Sequence, residues 1–212
     1  MHVIINDPFI EFIRGYDRCA VRYCLTEDEG PHRGIPSHRD AVERAMLRAV
    51  EECEENKRRV RELWGKEAAD RLHTWSCEIG RARASLIDAA EFLRVPEILR
   101  TDRNGCVFYD CPEPDADGGP IPYWYAFLEP PHGTGPVTEG GRIVRKRYGP
   151  EDFAAVNEAL FPRGIDRLTA YEWTTDWNGY FDDGREWWGT GCFSVYDPDL
   201  DRYAVILASA TD

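Results

Sequence analysis

Between Trp173 and Trp188, six aromatic residues and four carboxylates share sixteen positions: Trp173, Trp177, Tyr180, Phe181, Trp187 and Trp188 are interleaved with Asp176, Asp182, Asp183 and Glu186. Two chemistries suit that mixture. Aromatic anchors ringed by acids fit a basic protein partner, because rings supply desolvated contact area and carboxylates supply steering. Aromatic faces also stack on sugar rings, with two carboxylates acting as acid and base, and Glu186 with Asp176 or Asp182 is the pair to test. A calcium loop is rejected: Asp176-x-Asn178 opens like one, but Phe181 stands where glycine is required and no Glu closes the frame. The competing reading is structural, with the rings as core between sheet and helix and the acids guarding hairpin ends. Six rings exceed what one buried face of two strands absorbs, so the expected binding set is Trp173, Asp176, Trp177, Tyr180, Asp182, Asp183, Glu186, Trp187 and Trp188.

Other templates are missing. The sequence holds no G-x-S-x-G elbow, no G-x-x-x-x-G-K-[ST] loop and no strand-linked G-x-G-x-x-G. Cys192 with the distant His132 reads as a buried strand cysteine and not as a nucleophile pair. Seven cysteines are an odd count that suits reduced thiols. Cys19 with Cys24, and Cys106 with Cys111, repeat a C-x4-C spacing, but the first pair lies in a strand-like run that would splay its thiols. No metal and no cofactor is expected, no catalytic residue is assigned, and the balance leans away from an enzyme.

Charge narrows the partners. The 212 residues carry 39 Asp and Glu against 26 Lys and Arg, a formal net charge of -13. Residues 1–100 hold 19 acids and 17 bases, whereas residues 101–212 hold 20 acids and 9 bases. From Tyr171 to Asp201 there are eight acids and one base, Arg185. Such an acid excess argues against nucleic acid, whose phosphates require positive charge. No apolar run reaches the ~20 residues that span a bilayer, and Asp7 and Glu11 interrupt any leader-like N-terminus, so a cytoplasmic chain without membrane contact is expected.

These residues must be positioned by the elements around them. Asp7-Pro8 predicts a helix start, and Arg18 to Leu25 a strand after a short strand at Val3-Ile4-Ile5. Thr26 to Pro36 reads as a loop. Ser37-x-x-Asp40 resembles a capping box, followed by a seam of Val42, Met46, Ala49, Cys53, Asn56, Val60 and Leu63 on a helix of about 27 residues. Ile79, Ala82, Leu86, Ala89 and Leu93 repeat at helical steps before Pro96, which predicts a helical hairpin. The seam from Val42 to Leu63 also offers a third reading, an assembly module with Ala49 inside a dimer. Thr101 to Pro122 reads as linker or long loop, Tyr123 to Leu128 as a buried strand, Glu129 to Gly141 as a loop, and Arg142 to Tyr148 as an exposed strand. Pro150 opens a short helix ending at Pro162. The last fifty residues read as a meander: Arg167 to Asp176, Glu186 to Asp197 with Gly189 and Gly191 inside, and Arg202 to Ser209 as a central strand. The turn Asp182-Asp183-Gly184 would then join two aromatic-rich strands.

Trp124-Tyr125-Ala126-Phe127-Leu128, Leu160-Phe161-Pro162, Tyr180-Phe181-Asp182, Glu186-Trp187-Trp188-Gly189 and Ala208-Ser209-Ala210-Thr211-Asp212 together resemble a segment of uncharacterised bacterial proteins. The acidic, aromatic-rich α+β character also looks like small immunity proteins of bacterial toxin systems, which implies a toxin as the basic partner. The expected fold is α+β: a mainly helical region over 1–100, a linker over 101–120, and an antiparallel sheet with one covering helix over 121–212, separately or as one integrated domain. The expected function is a non-enzymatic binding protein with an acidic aromatic surface, and carbohydrate binding or hydrolysis is the alternative. Oligomeric state is not legible.

Overall fold

Seven consecutive residues near the C-terminus, Arg202 to Ala208, are all buried, which requires cover on both faces of one strand. The computed structural model describes residues 1–16, 20–72, 75–114, 118–131, 134–139, 142–146 and 148–210. The chain runs β1 (His2–Val3), α1 (Pro8–Ile13), β2 (Val21–Glu27), α2 (Ile35–Trp64), α3 (Lys66–Ala69), β3 (Ala84–Ile87), α4 (Ala89–Phe92), β4 (Ile98–Thr101) and β5 (Val107–Tyr109). It continues through α5 (Tyr123–Leu128), β6 (Thr134–Glu139), β7 (Arg142–Lys146), α6 (Pro150–Leu160), β8 (Thr169–Trp173), α7 (Asp182–Arg185), β9 (Gly191–Asp197) and β10 (Arg202–Ala208).

This is an α+β fold built on one antiparallel sheet, ordered β1-β2-β10-β9-β8-β3. β10 lies between β2 and β9, and its residues alternate between two cores. Tyr203, Val205 and Leu207 meet α2 through Ala41, Val42, Ala45 and Met46. Ala204, Ile206 and Ala208 face α1, α5 and α6 through Phe9, Phe127, Phe153 and Leu160. Period-two alternation therefore supplies both cores from a single strand. Burying side chains such as Val205, Ile206 and Leu207 stabilises the fold by about 1.5 to 3 kcal/mol each. Where the first helix starts, the Asp7 carboxylate accepts from the Phe9 N–H at 2.8 Å. The same carboxylate pairs with Arg202, whose guanidinium also donates to the Leu160 carbonyl at 2.6 Å, so α1, α6 and β10 are pinned at one buried point.

Several local expectations are corrected. The apolar stripe from Ile79 to Leu93 is not the second arm of a helical hairpin. It divides into a 3-10 turn at Ile79–Arg81, the edge strand β3 and the single turn α4. Here β3 pairs with the outer edge of β8, so sheet pairing overrides a helical spacing, and Asp88 starts α4 afresh by accepting from the Glu91 N–H. Tyr123 to Leu128 is helical and not a strand. An apolar run without periodicity does not distinguish a buried strand from a buried helix, and Pro122 at the N-cap favours the helix. β6 occupies part of the expected loop Glu129 to Gly141 and pairs with β7. β4 and β5 form a hairpin that enters the stretch read as linker.

The long helix forms as expected but begins earlier, at Ile35 behind Gly34, and Ser37 is not its cap; the Ser37 hydroxyl accepts from the Arg33 N–H at 3.1 Å. Only the first half of its seam is covered. Val42, Met46 and Ala49 are buried against the sheet, whereas Asn56 and Leu63 are exposed. Ala49 is therefore part of the chain's own core and not a position in a dimer seam.

Candidate functional site

β8 leaves the sheet at Trp173, and β9 begins only at Gly191, so the connection expected to be a hairpin is a seventeen-residue excursion containing the 3-10 turn Gly179–Phe181 and α7. Asp182, Asp183 and Gly184 belong to α7 and form no hairpin tip. Residues Glu186 to Thr190 lie outside the strand that was expected to contain them.

This geometry separates the aromatic residues from the acids. Trp173, Trp177 and Phe181 are buried in the core under α2, and Tyr180 packs partly against them. The Trp173 indole N–H donates to Ser194 Oγ at 2.8 Å, and the Trp177 indole N–H donates to the Thr174 carbonyl. Trp188 belongs to the opposite core and donates to the Glu129 carbonyl at 3.1 Å, with Trp187 packed beside that core. Asp176, Asp182 and Glu186 are exposed and Asp183 is half-buried. Asp182 pairs with Arg185, and Asp176 lies 4.0 Å from Arg81. Trp173, Trp177 and Trp188 are corrected from surface anchors to core. Trp173 ends β8 on the α2 face of the sheet, and within the excursion Trp177 turns into the same core while Trp188 turns into the opposite one.

The excursion returns against a second loop. Ile121 N–H donates to the Thr190 carbonyl at 2.9 Å, and Thr190 N–H donates to the Gly119 carbonyl at 3.0 Å. Glycine is required at this crossing: Gly189 has φ +130°, and a Cβ there would stand 2.3 Å from the Ile121 side chain. Gly189→Ala is therefore expected to cost about 2 kcal/mol or more through strain and overlap, read as a lower urea midpoint.

That crossing forms one wall of a cavity of about 440 Å³, bounded by Ile87 and Phe92, by Ile121, Tyr123 and Trp124, and by Phe193 of β9. Its charged lining is mostly committed. Asp88 caps α4, and Arg94 pairs with Asp110 and approaches Glu91 at 3.8 Å. Cys111 also lines the cavity, and burial followed by the nearby Asp110 pushes its thiol pKa up, away from the thiolate. Glu172 differs from all of these. It stands on β8 opposite Phe193 and Ser85, half-buried, and makes no hydrogen bond or ion pair with any described residue. Burial alone raises its carboxyl above the usual carboxylate range.

Glu172 was read from the sequence only as part of a charge total. The signal that could have found it is parity: in β8 it shares a face with Ala170, opposite Tyr171 and Trp173, and so places an acid on an apolar face. Among the described residues, no group of three or more His, Cys, Asp or Glu side chains could hold a metal ion. Cys24 and Cys111 are buried, Cys106 is exposed, and Cys19 and His132 lie outside the described residues. No described helix is long and apolar enough to cross a membrane. The chain matches no protein-family model, no curated protein and no solved structure.

Proposed function

We propose that the chain is a binding protein for a small apolar molecule that carries an ammonium group. The observation that carries this reading is the unpartnered Glu172 carboxyl in a mainly apolar cavity whose other charged residues, Asp88, Glu91 and Arg94, are engaged with neighbours. A half-buried carboxylate without a partner is costly, and a bound cation offsets that cost while its apolar body fills the cavity. Nearby aromatic rings add attraction for the cation. The cavity lining offers no nucleophile with an activating base, because Cys111 is held as a thiol and Glu172 is the one uncommitted acid.

The test is calorimetric titration with 2-phenylethylamine, followed in parallel through the total tryptophan fluorescence, to which Trp124 in the cavity wall contributes. Saturable binding is expected, with affinity at least about tenfold weaker in Glu172→Gln, equivalent to about 1.4 kcal/mol. Binding should also weaken as pH falls through the raised Glu172 pKa, because protonation removes the negative charge. A wild-type protein that shows no saturable signal would sink the proposal.

The outward carboxylates Asp176, Asp182 and Glu186 favour a second reading, a basic protein partner. With the three tryptophans inside, that contact would rest on screened surface charge and would fade with salt. None of the three hollows described is lined by Asp176, Asp182 or Glu186, so these hollows lend no support to paired-carboxylate sugar chemistry at those residues.

A further inference from the structure

A smaller hollow of about 130 Å³ lies beside the cavity and is lined in common with it by Glu172 and Pro120. Trp173 completes its lining together with Arg83, Ser85, Thr174, Thr175 and Thr190. Ser85 is the cross-strand partner of Glu172, so Arg83, two residues earlier, falls on the same face as its diagonal neighbour. The Arg83 backbone is held on both sides, its N–H donating to Thr174 Oγ1 at 3.2 Å and its carbonyl accepting from the Thr174 N–H at 2.9 Å. Its guanidinium has no hydrogen bond or ion pair among the described residues, and it does not pair with Glu172. An uncommitted anion and an uncommitted cation thus flank one small hollow that shares Glu172 and Pro120 with the larger apolar cavity.

We infer that the ligand is a free α-amino acid with a bulky apolar side chain, its ammonium on Glu172, its carboxylate on Arg83 and its side chain in the cavity; this rests on the reading of Glu172 above. An α-amino acid carries those three groups on a single carbon, in the order in which the hollow presents their complements. A simple amine leaves Arg83 unused, and a simple carboxylate leaves Glu172 unpaired. A planar guanidinium also suits a carboxylate in two-pronged contact. Because each charge has an opposite partner, neither side of the site requires net charge from the ligand.

The experiment is a calorimetric series on the full chain with L-phenylalanine, L-phenylalaninamide, 2-phenylethylamine and 3-phenylpropanoate. L-phenylalanine should bind at least about tenfold more tightly than the amide or the amine, and 3-phenylpropanoate should bind most weakly. Arg83 is exposed and outside the core, so Arg83→Ala should fold normally; it should lower L-phenylalanine to the affinity of the amine and leave the amine unchanged. Glu172→Gln should weaken both. An amine that equals L-phenylalanine in the wild type, or an Arg83→Ala effect of equal size on both ligands, overturns the amino-acid inference and leaves the cationic-ligand reading standing. An amide as tight as the amino acid also overturns it, in favour of a peptide N-terminus. If no member of the series binds, or 3-phenylpropanoate binds best, both readings fail together.

Discussion

Trp177→Ala is expected to destabilise the folded chain by about 3 to 5 kcal/mol, the range for removing a large buried aromatic side chain. The indole is 1% exposed, its N–H is satisfied by the Thr174 carbonyl, and its ring stands 5.8 Å from Phe181 in an edge-to-face contact. Alanine would leave a cavity in a core that α2 covers from one side only, together with an unpaired carbonyl. The carboxylates nine or fewer residues away behave differently. Asp182→Lys removes an exposed i,i+3 pair with Arg185 and should change stability by about 0.5 kcal/mol or less, and Glu186→Lys should do the same. Urea unfolding of the three variants decides the matter. A Trp177→Ala cost below about 1 kcal/mol would mean that this ring does not belong to the core.

The same contrast shows what could be read from the sequence and what could not. Residues that follow one local rule were legible. Asp7-Pro8 starts α1, Pro150 starts α6, and the unbroken apolar run in β10 marks a central strand, because capping, proline geometry and burial on both faces act within a few residues. Ile79 to Leu93 was not legible, since its spacing suits a helix and only the free edge of β8 makes part of it a strand. The position of Trp173 to Trp188 was hidden for a related reason. Acid and aromatic residues alternate there, but a long excursion that folds back sorts them by burial instead of presenting them together. Glu172 and Arg83 meet only through the pairing of β3 with β8, two segments some ninety residues apart, and no composition count could bring them to one hollow. The covered half of α2 was legible from its seam, but the point where cover stops depends on the width of the sheet.

Acid should remove a large part of the stability through one buried ring, His38. It lies in the first turns of α2, fully buried, among the rings of Tyr171, Tyr196, Tyr203 and His32. His38 Nδ1 lies 2.9 Å from Ser194 Oγ, which also accepts from the Trp173 indole N–H, and the buried ring is neutral. Nε2 has no partner, and no carboxylate acts on the ring: the groups that face it are aromatic rings, the second imidazole, and the hydroxyl and backbone of Ser194, whose backbone hydrogen bond opposes the lowering only in part. Burial first, and His32 second, lower its pKa from 6.5 to about 3. Between those two values the unfolded chain binds a proton that the folded chain refuses. The contribution is therefore complete above about pH 6.5 and is lost as pH falls, by about 2 kcal/mol at pH 5 and up to about 5 kcal/mol near pH 3. Urea midpoints at pH 7 and pH 5 should show that loss in the wild type and lack it in His38→Phe, which keeps a ring but cannot titrate. The His38 imidazole proton resonance should also stay constant from pH 8 to pH 5 in the folded protein. An equal pH slope in both proteins, or a resonance that titrates near pH 6, would mean that the ring is open to solvent and that α2 is not seated on the sheet through it.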